Sequence, residues 1–153
     1  MLRVLARDQC MKLLTTVPVG RVGVSMDALP LILPVNFVVV EDWIVFRTVP
    51  GTKLDAAVTR SVVAFQADGY ALDGSWGWSV LAQGYAHEVT DEAKLGRITA
   101  MKTWPFQHGE ANHVVAIIAT TISGRQFGTV PALHAAVIEP TPARVGSKMG
   151  SST

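Results

Sequence analysis

Residues 46–54, FRTVPGTKL, gather the groups that hold an oxyanion. A strand ends at Arg47-Thr48, the chain turns through Pro50-Gly51, and a helix begins near Thr52-Lys53. Free backbone N–H groups, the positive end of a helix dipole, hydroxyl donors and a cation all fall within one turn. Gly51 lets the backbone approach closely. The chemistry is phosphate binding; the same residues also suit an ordinary strand–turn–helix connection with two solvated cations. No Walker A loop and no G-x-G-x-x-G competes, so a Rossmann dinucleotide site is not expected.

A second cluster is GSWGWSV, residues 74–80. Trp76 and Trp78 flank Gly77 at the entrance to a long strand, where indole rings wall a planar aromatic ligand or anchor a core or interface. Ser79 is placed to hydrogen-bond a ligand edge. Gly124-Arg125, read as lying between two strands, presents a cation to a ligand or simply turns the chain. His108 and His113 lie near Glu110, yet no H-E-x-x-H appears and no metal site is expected. No G-x-S-x-G elbow supports a Ser–His–Asp triad. Cys10, the only cysteine, sits on an apolar helical stripe and reads as core. No residue stands out as a catalytic acid or base.

These groups need strands to hold them. Asp8 is expected to cap a short helix with Cys10, Leu13, Leu14 and Val17 on one face, ended by Pro18 and Gly20. The period then changes to two: Val22, Val24 and Met26 alternate with Arg21, Gly23 and Ser25, and Asp27 marks a turn. Residues 30–40 and 43–48 read as a hairpin, 51–60 as a helix, and 61–67 as an extended run. Residues 68–76 read as a loop. The strand from Trp78 to Val89 sets Ser79, Leu81, Gln83, Tyr85, His87 and Val89 on one face. Thr90 is expected to cap a helix to about Lys102, with Leu95, Ile98 and Met101 inward and Trp104-Pro105 stopping it. Residues 113–119 and 122–127 read as two closing strands. About six strands with few, short helices predict a mainly β fold, a barrel rather than a doubly wound sheet. Residues 1–127 form the domain, and 128–153 a C-terminal extension, partly disordered.

Composition narrows the classes. The chain has 153 residues and a net charge of +1; 16% are charged, against roughly 25% in average domains. With 49% apolar residues there is material for a core, and some apolar surface is expected to meet another subunit. No basic run marks a nucleic-acid footprint. The longest apolar stretch, residues 30–40, is interrupted by Pro34 and Asn36 and falls short of a membrane span. MLRVLARDQC lacks the features of a signal peptide, so a cytoplasmic protein is expected.

The run VGRVGVSMDALPLILPVNFVVVEDWIVFRTVPGTKL resembles the opening half of the pyridoxamine 5′-phosphate oxidase-like family, the FMN-binding split β-barrels. AFQAD, GWSVLAQGYAHEV and ISGR continue the resemblance in order, from about Asp8 to Phe127. It is nearest to small actinobacterial-type members and more distant from the nitroimidazole-resistance branch. The resemblance implies a six-stranded antiparallel split barrel and a homodimer with two flavins in clefts between protomers. It implies that Thr48, Gly51, Thr52 and Lys53, with Arg47 beside them, form the phosphate loop. Pro34, Val35 and Asn36 would run along the isoalloxazine ring, and Trp78 and Ser79 would reach it from the partner. The implied cofactor is FMN, with the deazaflavin F420 or haem as alternatives, and the implied activity an oxidoreductase acting on a small molecule. A non-catalytic ligand-binding or sensing dimer is the competing reading. The namesake oxidases close with an Arg- and Trp-containing motif; this chain ends ARVGSKMGSST, so the namesake activity is not expected.

Overall fold

The computed structural model describes residues 1–100 and 113–134. The elements are β1 (Arg3–Leu5), α1 (Arg7–Leu14), β2 (Val19–Met26), β3 (Leu29–Val40), β4 (Trp43–Thr48), α2 (Lys53–Val58), β5 (Ser61–Tyr70), β6 (Gly77–Glu88), α3 (Glu92–Ala100), β7 (His113–Phe127) and α4 (Pro131–His134). All seven strands pair antiparallel in the order β1-β7-β4-β3-β2-β5-β6, and β7 also pairs β6. Six strands, β2 to β7, thus close a ring, as the alternating pattern predicts. The seventh, β1, is an addition to the far half of β7, where Arg3 faces Gln126 and Leu5 faces Gly124.

Strand alternation builds the two faces. Inside the ring, Val22, Val35, Phe37, Ile44, Phe46, Phe65, Val80, Ala82, Val115 and Ile117 form the main core, which α1 covers through Cys10, Leu13 and Leu14. Cys10 is fully buried, as expected of a small core residue. On the outer face, α3 covers a second core of Val38, Val45, Val89, Ile98, Val114 and Ala116.

Several boundaries differ from the sequence reading for identifiable reasons. Ala6, not Asp8, is the N-cap of α1, because the Gln9 side chain reaches back to accept from the Ala6 N–H at 3.0 Å. Asp91, not Thr90, caps α3, its Oδ1 accepting from the Lys94 N–H at 3.0 Å. The stretches expected as two closing strands are one, β7, and Gly124-Arg125 lies inside it rather than between strands. The interruption is a bulge: Gln83 faces Thr121 and Gly84 faces Ala119, leaving Thr120 as the extra residue. Gly84 is required there, since a Cβ would stand 1.9 Å from the Ile118 carbonyl oxygen. β5 runs on to Tyr70, which shortens the expected 68–76 loop. Met101, Lys102, Trp104-Pro105, His108, Glu110 and residues 135–153 of the extension lie outside the described residues. Among the described residues, no helix is long and apolar enough to cross a membrane.

Candidate functional site

The corner between β4 and α2 is built by hydrogen bonds within a few residues. Thr52 caps α2: its Oγ1 accepts from the Asp55 N–H at 3.2 Å and its hydroxyl donates to the Val49 carbonyl at 2.8 Å. Gly51 turns the chain at φ +77°, in the left-handed region where only glycine is unstrained. Asp55, three residues beyond the cap, turns its carboxylate back into the corner. It accepts the Thr48 hydroxyl at 2.7 Å and the Gly51 N–H at 3.0 Å. The sequence reading assigns both donors to an external oxyanion; within the chain, the carboxylate of Asp55 takes them.

Behind Asp55 stands His113, the first residue of β7, which pairs with Thr48. Its Nδ1 contacts Asp55 Oδ1, and its Nε2 lies 2.8 Å from Glu88 Oε1 on β6. Burial alone would raise the Asp55 carboxyl, but the bonds from Thr48, His113 and Gly51 outweigh it and hold it below its ordinary value. His113 is pushed up, first by its hydrogen bond to Asp55 and then by that to Glu88, against a smaller opposing effect of burial. The two carboxylates bind opposite sides of one ring and do not converge on a point. Among the described residues, no group of three or more His, Cys, Asp or Glu side chains is arranged for a metal ion.

Asp55 and Glu88 carry no motif singled out in the sequence. The Thr52-x-x-Asp55 spacing is the local signal for Asp55, since it is a capping-box spacing. His113 and Glu88 join it only through the β4–β7 and β6–β7 pairings, which no local pattern announces.

The remaining candidates divide between the faces of the sheet. Thr48 is buried toward the barrel interior. Arg47 pairs with Val114, a member of the α3-covered outer core, and so shares the outer face. Asn36 and Arg47 each stand one residue beyond the Phe37–Phe46 pair, which makes them outer-face neighbours on β3 and β4. Pro34 is exposed on that face, while Val35 points into the main core and offers only its backbone outward. Thr52 and Lys53 are exposed at the start of α2.

Trp78 and Ser79 separate in the same way. Trp78 is buried in the main core, its indole packed over Gly69, where a Cβ would come within 2.6 Å of Nε1. Ser79 is exposed on the outer face opposite Arg125. The outer-face row Pro34–Arg21–Gln66–Leu81 runs from β3 across β2 and β5 to β6. Three interstrand steps separate β3 from β6, about 14 Å. Pro34, Asn36 and Arg47 therefore lie on adjoining strands, with Thr52 and Lys53 following Arg47 within six residues, and Ser79 of the same chain is remote from Pro34 and Asn36.

The profile of the pyridoxamine 5′-phosphate oxidase family matches residues 6–126. An uncharacterised protein of Mycobacterium tuberculosis is 37% identical over 125 residues, which cover 78% of this chain and 82% of that protein. The FAD binding protein from Mycobacterium smegmatis superposes with a TM-score of 0.67 at 34% identity, covering 83% of this chain and 99% of its own. A FAD-binding protein from Mesorhizobium loti superposes with a TM-score of 0.63 at 26% identity, covering 82% and 96%.

Proposed function

The chain belongs to the pyridoxamine 5′-phosphate oxidase family, and from that premise we propose that it is a flavin-binding oxidoreductase working as a homodimer. The observation that carries the reading is the cationic rim of the β4–α2 corner, where Lys53 is exposed at the start of α2 and Arg47 and Asn36 share the outer face of β4 and β3. The Lys53 and Arg47 pair of side chains fits a phosphate monoester, with two cations for its charge. Thr48 and Gly51, engaged by Asp55, and Thr52, whose hydroxyl donates to the Val49 carbonyl, serve as supports of the corner rather than as direct ligands.

A bound flavin supplies hydride transfer; the chain supplies binding, orientation and electrostatics. Arg47 and Lys53 neutralise the phosphate, and Pro34 and Asn36 line the ring along β3. Ser79, too far from this corner within its own chain, serves the corner of a second copy. The open outer face supports that arrangement, since Ile32, Val62, Leu81, Tyr85 and Ile118 are exposed on adjoining strands. FMN would be held by the corner alone. FAD, bound by the M. smegmatis and M. loti proteins, shares that phosphate and extends an adenylate beyond it.

The visible spectrum of the purified protein, before and after titration with FMN and FAD, tests the reading. The expected result is the two-band absorption of an oxidised flavin. Lys53→Ala is expected to weaken flavin binding about 10- to 100-fold, as loss of a charge-assisted bond does. A Soret band instead, or no chromophore and no uptake, overturns flavin binding. Stopped-flow reduction by NAD(P)H or reduced F420 then separates an oxidoreductase from a binder that never turns over.

A further inference from the structure

The anchor beneath the corner contains titratable groups that phosphate binding leaves without a role. His113 links three elements: through Nδ1 it holds Asp55 of α2, and through Nε2 it holds Glu88 of β6 at 2.8 Å, while it begins β7 itself. Its strand neighbour on β4, Thr48, carries no charge and donates to the same Asp55 carboxylate at 2.7 Å. Asp55 from α2 and Glu88 from β6 are thus the charged groups that face the ring among the described residues. Asp55 in turn receives the Gly51 N–H at 3.0 Å, so the conformation of the turn depends on where this carboxylate is held.

We propose that Asp55 and His113 are positioning residues for the phosphate-binding corner, the imidazolium of His113 holding Asp55 in place and cancelling its charge. This role rests on the flavin reading above. The Asp55 carboxylate accepts from the Gly51 N–H, and Asp55 itself is only two residues from Lys53. Left uncompensated, it opposes the charge of an arriving phosphate; paired with an imidazolium, it leaves the cations of the rim in control.

The dependence on pH follows. The bonds to Asp55 and then to Glu88 raise the His113 value, so the charged contact is fully made below the ordinary histidine range. It is lost as pH rises through the raised value. Asp55, held low, stays ionised until the solution is strongly acid. Flavin affinity is therefore greatest around neutral pH and falls on the alkaline side. The second ionisation of the phosphate, near pH 6, acts on the acid side and is common to every variant.

The test is the FMN dissociation constant, read by fluorescence quenching from about pH 6 to 9, across the histidine range. It is measured on the intact chain, His113→Gln and Glu88→Gln. For the intact chain, affinity is expected to drop about tenfold on the alkaline side, the equivalent of one unit of coupling. His113→Gln is expected to bind weakly with the alkaline fall removed, and Glu88→Gln to move the midpoint to lower pH. Should His113→Gln fail to fold, Glu88→Gln, altered at a half-exposed side chain, still decides the matter. A midpoint unmoved by Glu88→Gln, or an alkaline fall retained in His113→Gln, overturns the role. Binding that ignores pH overturns this role alone; no binding at any pH overturns the flavin reading and this role with it. An NMR titration of the His113 ring without flavin reports the pairing independently: a value at or below that of a free histidine also overturns it.

Discussion

The outer surface of the barrel carries two apolar areas that the chain treats in opposite ways. Over β3, β4 and the first half of β7, α3 lays Ile98 and Leu95 on Val38, Val45, Val114 and Ala116, and nothing large remains exposed among the core members. Over β5, β6 and the middle of β7, the row Val62–Tyr85–Ile118 crosses three paired strands, and among the described residues no element lies above it. Val62 is 76% exposed and Tyr85 46%. Both areas are strands rich in β-branched and aromatic residues, so propensity does not distinguish them. What differs is that, among the described residues, one has a cover and the other has none. An uncovered apolar row on a chain so poor in charge is the physical basis for the dimer proposed above.

The largest expected effect separates the two areas by stability. Ile98→Ala removes fully buried atoms from beneath α3 and is expected to cost about 2–5 kcal/mol, read by chemical denaturation. Val62→Ala, a truncation of the same kind on the open row, is expected to change the stability of the single chain by no more than about 0.5 kcal/mol. Equal costs would erase the distinction between a covered and an open face.

The next effect appears in mass rather than in stability. Val62→Glu sets a charge in the open row while leaving the ring and α3 intact. Light scattering is expected to give a dimer for the unaltered chain and a monomer for the variant, with near-identical circular dichroism. An unaltered chain that is already monomeric would show that the open row has no second copy over it, and would leave Ser79 without a corner to serve.

The contrast between the two areas was only partly legible in the sequence. Period-two alternation places Ser79, Leu81, Gln83 and Tyr85 on one face of β6, and the structure exposes all four while burying Trp78, Val80, Ala82 and Ala86. The same pattern says nothing of which face a helix covers; that depends on the return of the chain from Glu88 through Asp91 to α3. Strand β1 was invisible because three residues cannot display a period, and it exists only as a partner to β7. The β7 bulge at Thr120 looked like a gap between strands because one extra residue shifts the alternation. At the corner, residue types in FRTVPGTKL announced an anion-binding turn. The anchor of that turn was hidden, because His113 lies 58 residues from Asp55 and meets it only when β7 pairs with β4.

The smallest expected effect tests whether the cover of α3 is apolar in origin. Two polar contacts also tie α3 to the β3–β4 hairpin. Arg97 pairs with Glu41 at 2.9 Å, and the Lys94 ammonium stands 4.0 Å from the centre of the Trp43 ring. The Arg97–Glu41 side chains are 58% and 62% exposed, so water screens the pair and holding two long side chains costs entropy. Arg97→Ala is therefore expected to lower stability by no more than about 0.5 kcal/mol, with the difference shrinking further in high salt. A loss approaching that of Ile98→Ala, undiminished by salt, would mean that α3 is fastened by charge. The covered and open areas would then differ in their polar fastening and not in the burial of Ile98.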